Sequence, residues 1–193
     1  MRKMYCAFDR SDDVLAKAST VPKIYTIGHS TRAADEFLAI LNAFGIELVA
    51  DIRTVPRSRH NPQYEEKSLR SFLAEHRIEY IHLPALGGLR HPKKDSPNSG
   101  WRNASFRGYA DYMQTPEFDT AIEDLMARAA EKRTVLMCAE AVPWRCHRSL
   151  VGDALLVRGV DVEDIMSEKS SRSHQLTPWA RVERYQVTYP NAE

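Results

Sequence analysis

The sequence is short of the features that mark several large classes of protein. No apolar run approaches the roughly 18–20 residues that a membrane helix needs, so a membrane-bound protein is not expected. Cysteine occurs three times, at Cys6, Cys138 and Cys146. That is an odd number, too few for a disulfide framework in a chain of 193 residues, and reduced thiols in a cytosol are the expectation. Neither sign of charge dominates: 27 basic and 26 acidic residues leave a formal net charge of +1. This excludes a generally polybasic nucleic-acid binder while permitting a local basic patch. Glycine-rich phosphate loops and dinucleotide fingerprints are missing, which argues against ATP hydrolysis and NAD chemistry. The opening stretch, MRKMYCAFDRSDDVLAKASTVP, carries basic residues, but Asp9, Asp12 and Asp13 interrupt it before an apolar segment develops. It does not read as a secretory signal, and a cytoplasmic location is expected.

What is present alternates between strand and helix patterns. With 43% hydrophobic residues the chain can bury a core, and its length fits one domain with room for a tail or a long insertion. Lys23–Ser30 (KIYTIGHS) is β-rich and ends in a Gly-His-Ser turn. Thr31 is placed to cap a helix carrying Phe37, Leu38, Leu41 and Phe44 on one face, with Gly45 closing it. Glu47–Arg53 predicts a second strand. After a polar loop, Ser68 is placed to cap a helix with Leu69, Phe72 and Leu73, and Glu79–Gly88 predicts a third strand ending at a glycine pair. From Leu89 to about Tyr109 the chain is polar and rich in Gly, Pro, Ser and basic residues, and loops of this length are usually functional or mobile. Pro116 opens the clearest helix, with Phe118, Ile122, Leu125 and Met126 on one face. Thr134–Glu140 is nearly continuously apolar, as expected of a central parallel strand covered on both faces. A helix over Ser149–Arg158 and a short strand over Val160–Met166 complete the pattern.

The expected fold is therefore a single α/β domain over residues 23–193, a mostly parallel sheet flanked by helices, preceded by an extension over residues 1–22. In open sheets of this type, ligands bind outside the carboxyl ends of the strands. Those ends carry His29 and Ser30, Asp51 and Arg53, Gly87 and Gly88, and Cys138 and Glu140. All four sets are expected to face one crevice.

Each set has a chemical and a bland interpretation. His29 suits acid–base work near neutral pH, or it and Ser30 simply hydrogen-bond the turn. Asp51 and Arg53 are two apart and share a strand face, so the acid can hold the guanidinium in place for phosphate or carboxylate. Arg57 and Arg59 add charge nearby, or form a solvated basic loop. Glu140 at the end of a buried strand would have its pKa raised by burial and so be suited to proton transfer. Cys146, His147 and Arg148 stand at a helix start, a position that favours anions and lowers thiol pKa values. Alternatively, Cys138 and Cys146 are small core residues, and Arg145 and Arg148 are paired to acids. Six residues separate Cys138 from Arg145, with no glycine between, so a cysteine-phosphatase loop does not fit. A zinc site would recruit Cys138, Cys146 and His147, but the eight-residue step between the cysteines matches no common paired spacing and a fourth ligand is not apparent, so neither a metal nor another cofactor is expected.

The blocks TIGHS (Thr26–Ser30), DIRTVPRS (Asp51–Ser58), LPALGG (Leu83–Gly88) and CAEAVPWRCHR (Cys138–Arg148) resemble those of the domain of unknown function 488 family, and HQLTPWA (His174–Ala180) is similar to that family's closing segment. The likeness runs from about Lys23 to Ala180. One departure stands out: where the family often carries a histidine in the short strand near Val162–Ile165, this chain has Asp164. The resemblance implies a fold and a site, but no reaction.

The expected function is an enzyme acting on a phosphorylated, nucleotide or nucleic-acid-derived substrate by carboxylate acid–base chemistry. Glu140, Asp51 and His29 are the candidate catalytic residues, Ser30, Arg53, Arg145 and Arg148 the candidate anion-binding residues, and Cys138 and Cys146 the candidate thiols. Tyr64, Trp101, Tyr109 and Trp144 are available for base stacking. A non-catalytic nucleotide or nucleic-acid binding module is one alternative, and a thiol-dependent redox or sulfur-transfer protein is another.

Overall fold

The computed structural model describes residues 23–191, so Cys6 and the expected extension over residues 1–22 lie outside the described residues. The chain runs through β1 (Lys23–Gly28), α1 (Ala34–Ala43), β2 (Leu48–Asp51), α2 (Glu66–Glu75), β3 (Glu79–His82), α3 (Ala104–Tyr112), α4 (Pro116–Glu131), β4 (Thr134–Cys138), α5 (Arg148–Leu156) and β5 (Asp161–Ser167). It ends with β6 (Ser170–Ser173) and a separate hairpin of β7 (Arg181–Glu183) and β8 (Gln186–Thr188). Six strands form one sheet in the order β3-β2-β4-β1-β5-β6, parallel throughout except for antiparallel β6. This is a single α/β domain.

β4 shows why the sheet is central to the domain. All five of its residues are buried, and the strand pleat sends alternate side chains to opposite faces. Leu136 and Cys138 join Ile24, Ala50 and Val162 under α3, α4 and α5. Val135 and Met137 join Ile27, Val49 and Tyr80 under α1 and α2. The helices after β1 and β2 thus cover one face, and the helix after β4 covers the other. β4 lies between β1 and β2, so its carboxyl-terminal loop leaves in the direction opposite to theirs. A crevice opens where adjacent connections diverge in this way. In the β1–β4 register Gly28 sits beside Cys138, and Asp51 in β2 sits beside Met137. Gly28 is required there: a Cβ would fall 1.8 Å from the Glu140 carbonyl oxygen.

Several expected boundaries shift, each for a local reason. α1 begins after Ala33 with no side-chain cap, so Thr31 is not the capping residue. α2 begins at Glu66, with Ser68 inside its first turn. β3 stops at His82 because Pro84 starts a short 3-10 turn, and proline has no N–H for a sheet ladder. The polar segment after Leu89 contains the start of α3, capped by Asn103, whose side-chain oxygen accepts from Ser105 N at 2.8 Å. The rest of that loop is tied down by the buried Asp111 carboxylate. It accepts from the Lys93 amide, the Ser96 hydroxyl and the Asn98 side chain at 2.7, 2.5 and 2.8 Å. β6 and the terminal hairpin were not anticipated, because Ser170–Ser173 and Arg181–Glu183 are exposed and too short to show a sustained apolar alternation.

The carboxyl-terminal segment is locked to the sheet by a buried charged network. The His174 imidazole lies between Asp153 (3.0 Å) and Asp164 (3.2 Å). Tyr189 donates its hydroxyl to Asp153 at 2.8 Å, and Thr26 donates to Asp164 at 2.5 Å. Burial alone would depress the His174 pKa, but the two carboxylates outweigh it and raise the group to about 9. A folded-state pKa above the unfolded value means a contribution fully present below about pH 6.5 and lost as pH rises through about 9. At one pKa unit per 1.36 kcal/mol this pH-dependent contribution of His174 is roughly 3 kcal/mol. We expect urea unfolding to show His174→Gln less stable than wild type at pH 6, with the gap shrinking steadily between pH 7 and 10. A gap that stays constant over that range would mean that His174 is not charged in the fold.

Candidate functional site

The carboxyl ends of β2 and β4, with the loop after β3, border a cleft of about 530 Å³. Its lining includes Arg53, Arg57, Arg145, Cys138, Cys146 and His147, together with Glu140. A smaller cavity of about 330 Å³ adjoins it, sharing Arg57, Ala139 and Glu140 and adding His29 and Ser30. Among the expected site residues, Arg53, Arg145, Cys138, Cys146 and Glu140 therefore reach the larger cleft, and His29 and Ser30 reach its neighbour. Asp51 and Arg148 line neither.

Asp51 is completely buried at the end of β2. Its carboxylate accepts from the Arg53 amide (3.0 Å), from Arg53 Nε (2.9 and 3.0 Å) and Nη2, and from the Tyr80 hydroxyl (2.7 Å). Nothing is left over to take a proton from a substrate. The acid–base role expected of Asp51 is corrected to that of holding Arg53. A guanidinium has five N–H donors. Arg53 spends one at Nε and one at Nη2 on Asp51, and one at Nη1 on His29 Nε2 at 3.3 Å. Two donors remain without a partner among the described residues, on a side chain that lines the cleft.

His29 is also drawn into this arrangement. It stacks on the buried Tyr64 ring at 4.0 Å. Its Nδ1 lies 2.8 Å from the Ser30 carbonyl, which fixes the proton on Nδ1 and leaves Nε2 to accept from Arg53. Burial above all, with the Arg53 charge adding to it, depresses the imidazole to about 4. At neutral pH His29 is an uncharged support for Arg53, not a group titrating near 7 as expected. Ser30, at φ +52°, donates its amide to Ala139 at 2.9 Å and stitches the end of β1 to the end of β4.

Two further expectations are overturned. Glu140 is exposed, so the burial expected to tune it is absent; its carboxylate accepts only weakly from the Val142 amide at 3.4 Å. Arg148 is 0% exposed. It donates Nη1 to the Glu140 carbonyl and Nη2 to the Ala141 carbonyl at 2.8 Å, so it clasps the loop after β4 and cannot meet a ligand. The stacking candidates divide likewise. Tyr64 and Tyr109 are fully buried, Trp101 packs on Phe106 and Trp179, and only Trp144 is largely exposed.

The thiols converge with His147, the histidine that a zinc site read from the sequence would recruit beside Cys138 and Cys146. Cys138, Cys146 and His147 bring one ligand atom each to within 4.8 Å of the others, and Cys146 Sγ lies 3.7 Å from His147 Nδ1. The Cys138 thiol donates toward Cys146. That contact, aided by the Arg148 charge and opposed by burial, lowers Cys146 to about 7. The same contact and burial push Cys138 well up. The spacing in the sequence spoke against this set; the approach of the end of β4 to the residues before α5 brings it together.

Fold and site together define an α/β protein with an arginine-rimmed, thiol-floored cleft at the carboxyl ends of a parallel sheet. The family model for the domain of unknown function DUF488 matches residues 33–155, and the chain belongs to that family. No curated protein and no solved structure matches it. Among the described residues, no helix is long and apolar enough to cross a membrane.

The Asp51 assignment predicts a graded response in stability. Asp51→Asn strands a buried guanidinium and should destabilise the fold by about 3–5 kcal/mol. Tyr80→Phe removes one of several bonds to the carboxylate and should cost about 1 kcal/mol. Glu140→Gln, at the surface, should stay within about 0.5 kcal/mol of wild type. Urea unfolding of the three variants checks the order, and an Asp51→Asn protein as stable as wild type would refute the holding role.

Proposed function

We propose that this protein is an enzyme acting on a phosphate-bearing substrate, a nucleotide or a nucleic-acid-derived group, bound in the cleft at the ends of β2 and β4. Arg53, Arg57 and Arg145 hold the anion, and the cluster of Cys138, Cys146 and His147 forms the reactive floor. The observation that carries this is the convergence of three guanidiniums and a sulfur–imidazole cluster on one cleft. Only one carboxylate, Glu140, lines it among the described residues, so the lining favours an anion. Arg53 is pre-positioned by Asp51 with two donors to spare, which reduces the ordering cost of binding. Arg57 and Arg145 are exposed and close from the rim.

Catalysis at this site puts proton transfer on Glu140, the carboxylate at the rim, and bond-making at the floor. Asp51 and His29 act at one remove, by fixing Arg53. The reaction class that suits such a cleft is transfer or hydrolysis at a group next to the bound phosphate, where preorganised positive charge stabilises the charge that develops.

Binding is the first thing to measure, with inorganic phosphate and a nucleoside monophosphate as probes in calorimetry. A hydrogen bond to a charged group is worth about 1.5–3 kcal/mol. Arg57→Ala and Arg145→Ala should each weaken the nucleotide roughly tenfold to a hundredfold. Glu140→Gln should bind within about twofold of wild type, since it removes a charge without removing a donor. Affinity should fall as salt rises. Equal affinity in wild type and Arg145→Ala, unchanged by salt, would remove the anion site.

A further inference from the structure

We propose that Cys138, Cys146 and His147 bind a single borderline-soft divalent cation, zinc in the first instance, at the floor of the cleft, with a fourth coordination position open to the substrate space. The proposal rests on the reading of this cleft as a reactive site only for its functional meaning; the donor geometry stands independently. A tetrahedral zinc ion has bonds of about 2.3 Å to sulfur and about 2.0 Å to imidazole nitrogen, so its ligand atoms sit roughly 3.5–3.8 Å apart. Cys146 Sγ and His147 Nδ1 are 3.7 Å apart, and all three donor atoms fall within 4.8 Å of one another. Small side-chain rotations bring such a set onto one ion.

The spacing rule that spoke against zinc applies to two ligands on one short loop. Here Cys138 comes from the last residue of β4, while Cys146 and His147 come from the residues just before α5. The fold supplies the approach that the sequence spacing does not. Thiolate and imidazole are the donor types that select zinc over calcium or magnesium.

The histidine carries the independent observation. His147 Nε2 lies 3.2 Å from the Ile52 carbonyl. A carbonyl only accepts, so the ring proton sits on Nε2 and the lone pair of Nδ1 faces the two sulfurs. Metal-bound histidines are oriented in this way, by donating the other ring N–H to a carbonyl or carboxylate. The ring is also walled in. A Cβ on Gly88 would come within 2.5 Å of Nδ1, so the glycine that ends the LPALGG block leaves the room that the ligand edge needs. Tyr109 closes the other side, its ring centroid 5.0 Å from that of His147.

Charge and stoichiometry close. Binding exchanges two thiol protons, released to solvent, for one dication, and the resulting centre is neutral. Three protein ligands leave a position toward the cleft, the pattern of catalytic rather than structural zinc sites. A phosphate-bearing substrate reaching that position would have Arg53 and Arg145 on its flank.

The test uses the full chain freed of metal by a chelator and then titrated with Co²⁺. One equivalent should bind, giving a near-ultraviolet sulfur-to-cobalt charge-transfer band and visible bands of tetrahedral intensity, and one equivalent of Zn²⁺ should displace it. Cys138→Ser, Cys146→Ser and His147→Ala should each weaken Co²⁺ at least tenfold, and Cys6→Ser should leave it unchanged. A wild-type measurement avoids variants that fail to fold: Zn²⁺ should protect Cys138 and Cys146 from iodoacetamide, read by peptide mass mapping. Absence of the charge-transfer band with folded wild type, absence of protection, or loss of binding in Cys6→Ser would overturn the proposal. Phosphate affinity of the same metal-free protein, with its Arg145→Ala variant, reports on the anion site separately, so failure of one is distinguishable from failure of the other.

Discussion

A guanidinium held by a carboxylate that water never reaches is the constraint on which this cleft depends. Asp51 and Arg53 are two residues apart at the end of β2, and the pair closes on itself before it contacts anything else. Desolvating two charges is expensive, and such a pair survives only when the remaining lone pairs and protons are also satisfied. Tyr80 from β3 and His29 from β1 meet that requirement from either side. Three parallel strands are thereby linked by a polar interaction around the end of β2, in addition to their ladders. Arg53 is buried and tied to Asp51, whereas Arg57 and Arg145 are exposed. The cleft accordingly has one anchored cationic point and two solvent-facing ones.

A second buried cation has a different solution. Arg148 has no carboxylate in direct contact among the described residues and uses carbonyl oxygens, which supply partial charge only. Its counter-charge is diffuse: Asp164 is close enough to feel it, and lies in the network with Asp153 and His174. Two carboxylates and two cations make that region neutral as a set. This gives a physical role to the residue that departs from the resembled family. A histidine at position 164 would face His174 with no carboxylate between them and would leave Arg148 less compensated, so Asp164 is part of a local charge balance.

The alternation of strand and helix was legible because β1, β2, β4 and α4 carry strong periodic or continuous apolar patterns. So was the gathering of polar residues at strand ends, since a parallel sheet imposes it. The roles within that gathering were not legible. Glu140 was expected buried at a strand end and Arg148 open at a helix start, yet Glu140 faces solvent and Arg148 is sealed, because β4 ends at Cys138, the following residues turn outward, and Arg148 folds back onto their carbonyls. Asp51 looked like an acid available for chemistry because nothing in the sequence shows that Tyr80, 29 residues later, donates to it. Spacing spoke against the convergence of Cys138 with Cys146 and His147 for a similar reason: it is made by tertiary packing across a loop whose direction the spacing does not encode.

The strand order also bears on how the chain is made. β1 and β2 are never neighbours; β4 lies between them, and Ile24 waits for Thr134, 110 positions on, before it gains its partner. Until then the amino-terminal half holds two apolar strands with open edges and no means of joining them. Long-range parallel pairing of this kind is slow, and it leaves unpaired edges exposed while synthesis continues. Insertion of β4 ends that exposure, and the same segment delivers Cys138 and, a few residues later, Cys146 and His147. On the ribosome, then, the sheet cannot be completed before the residues that floor its cleft begin to emerge.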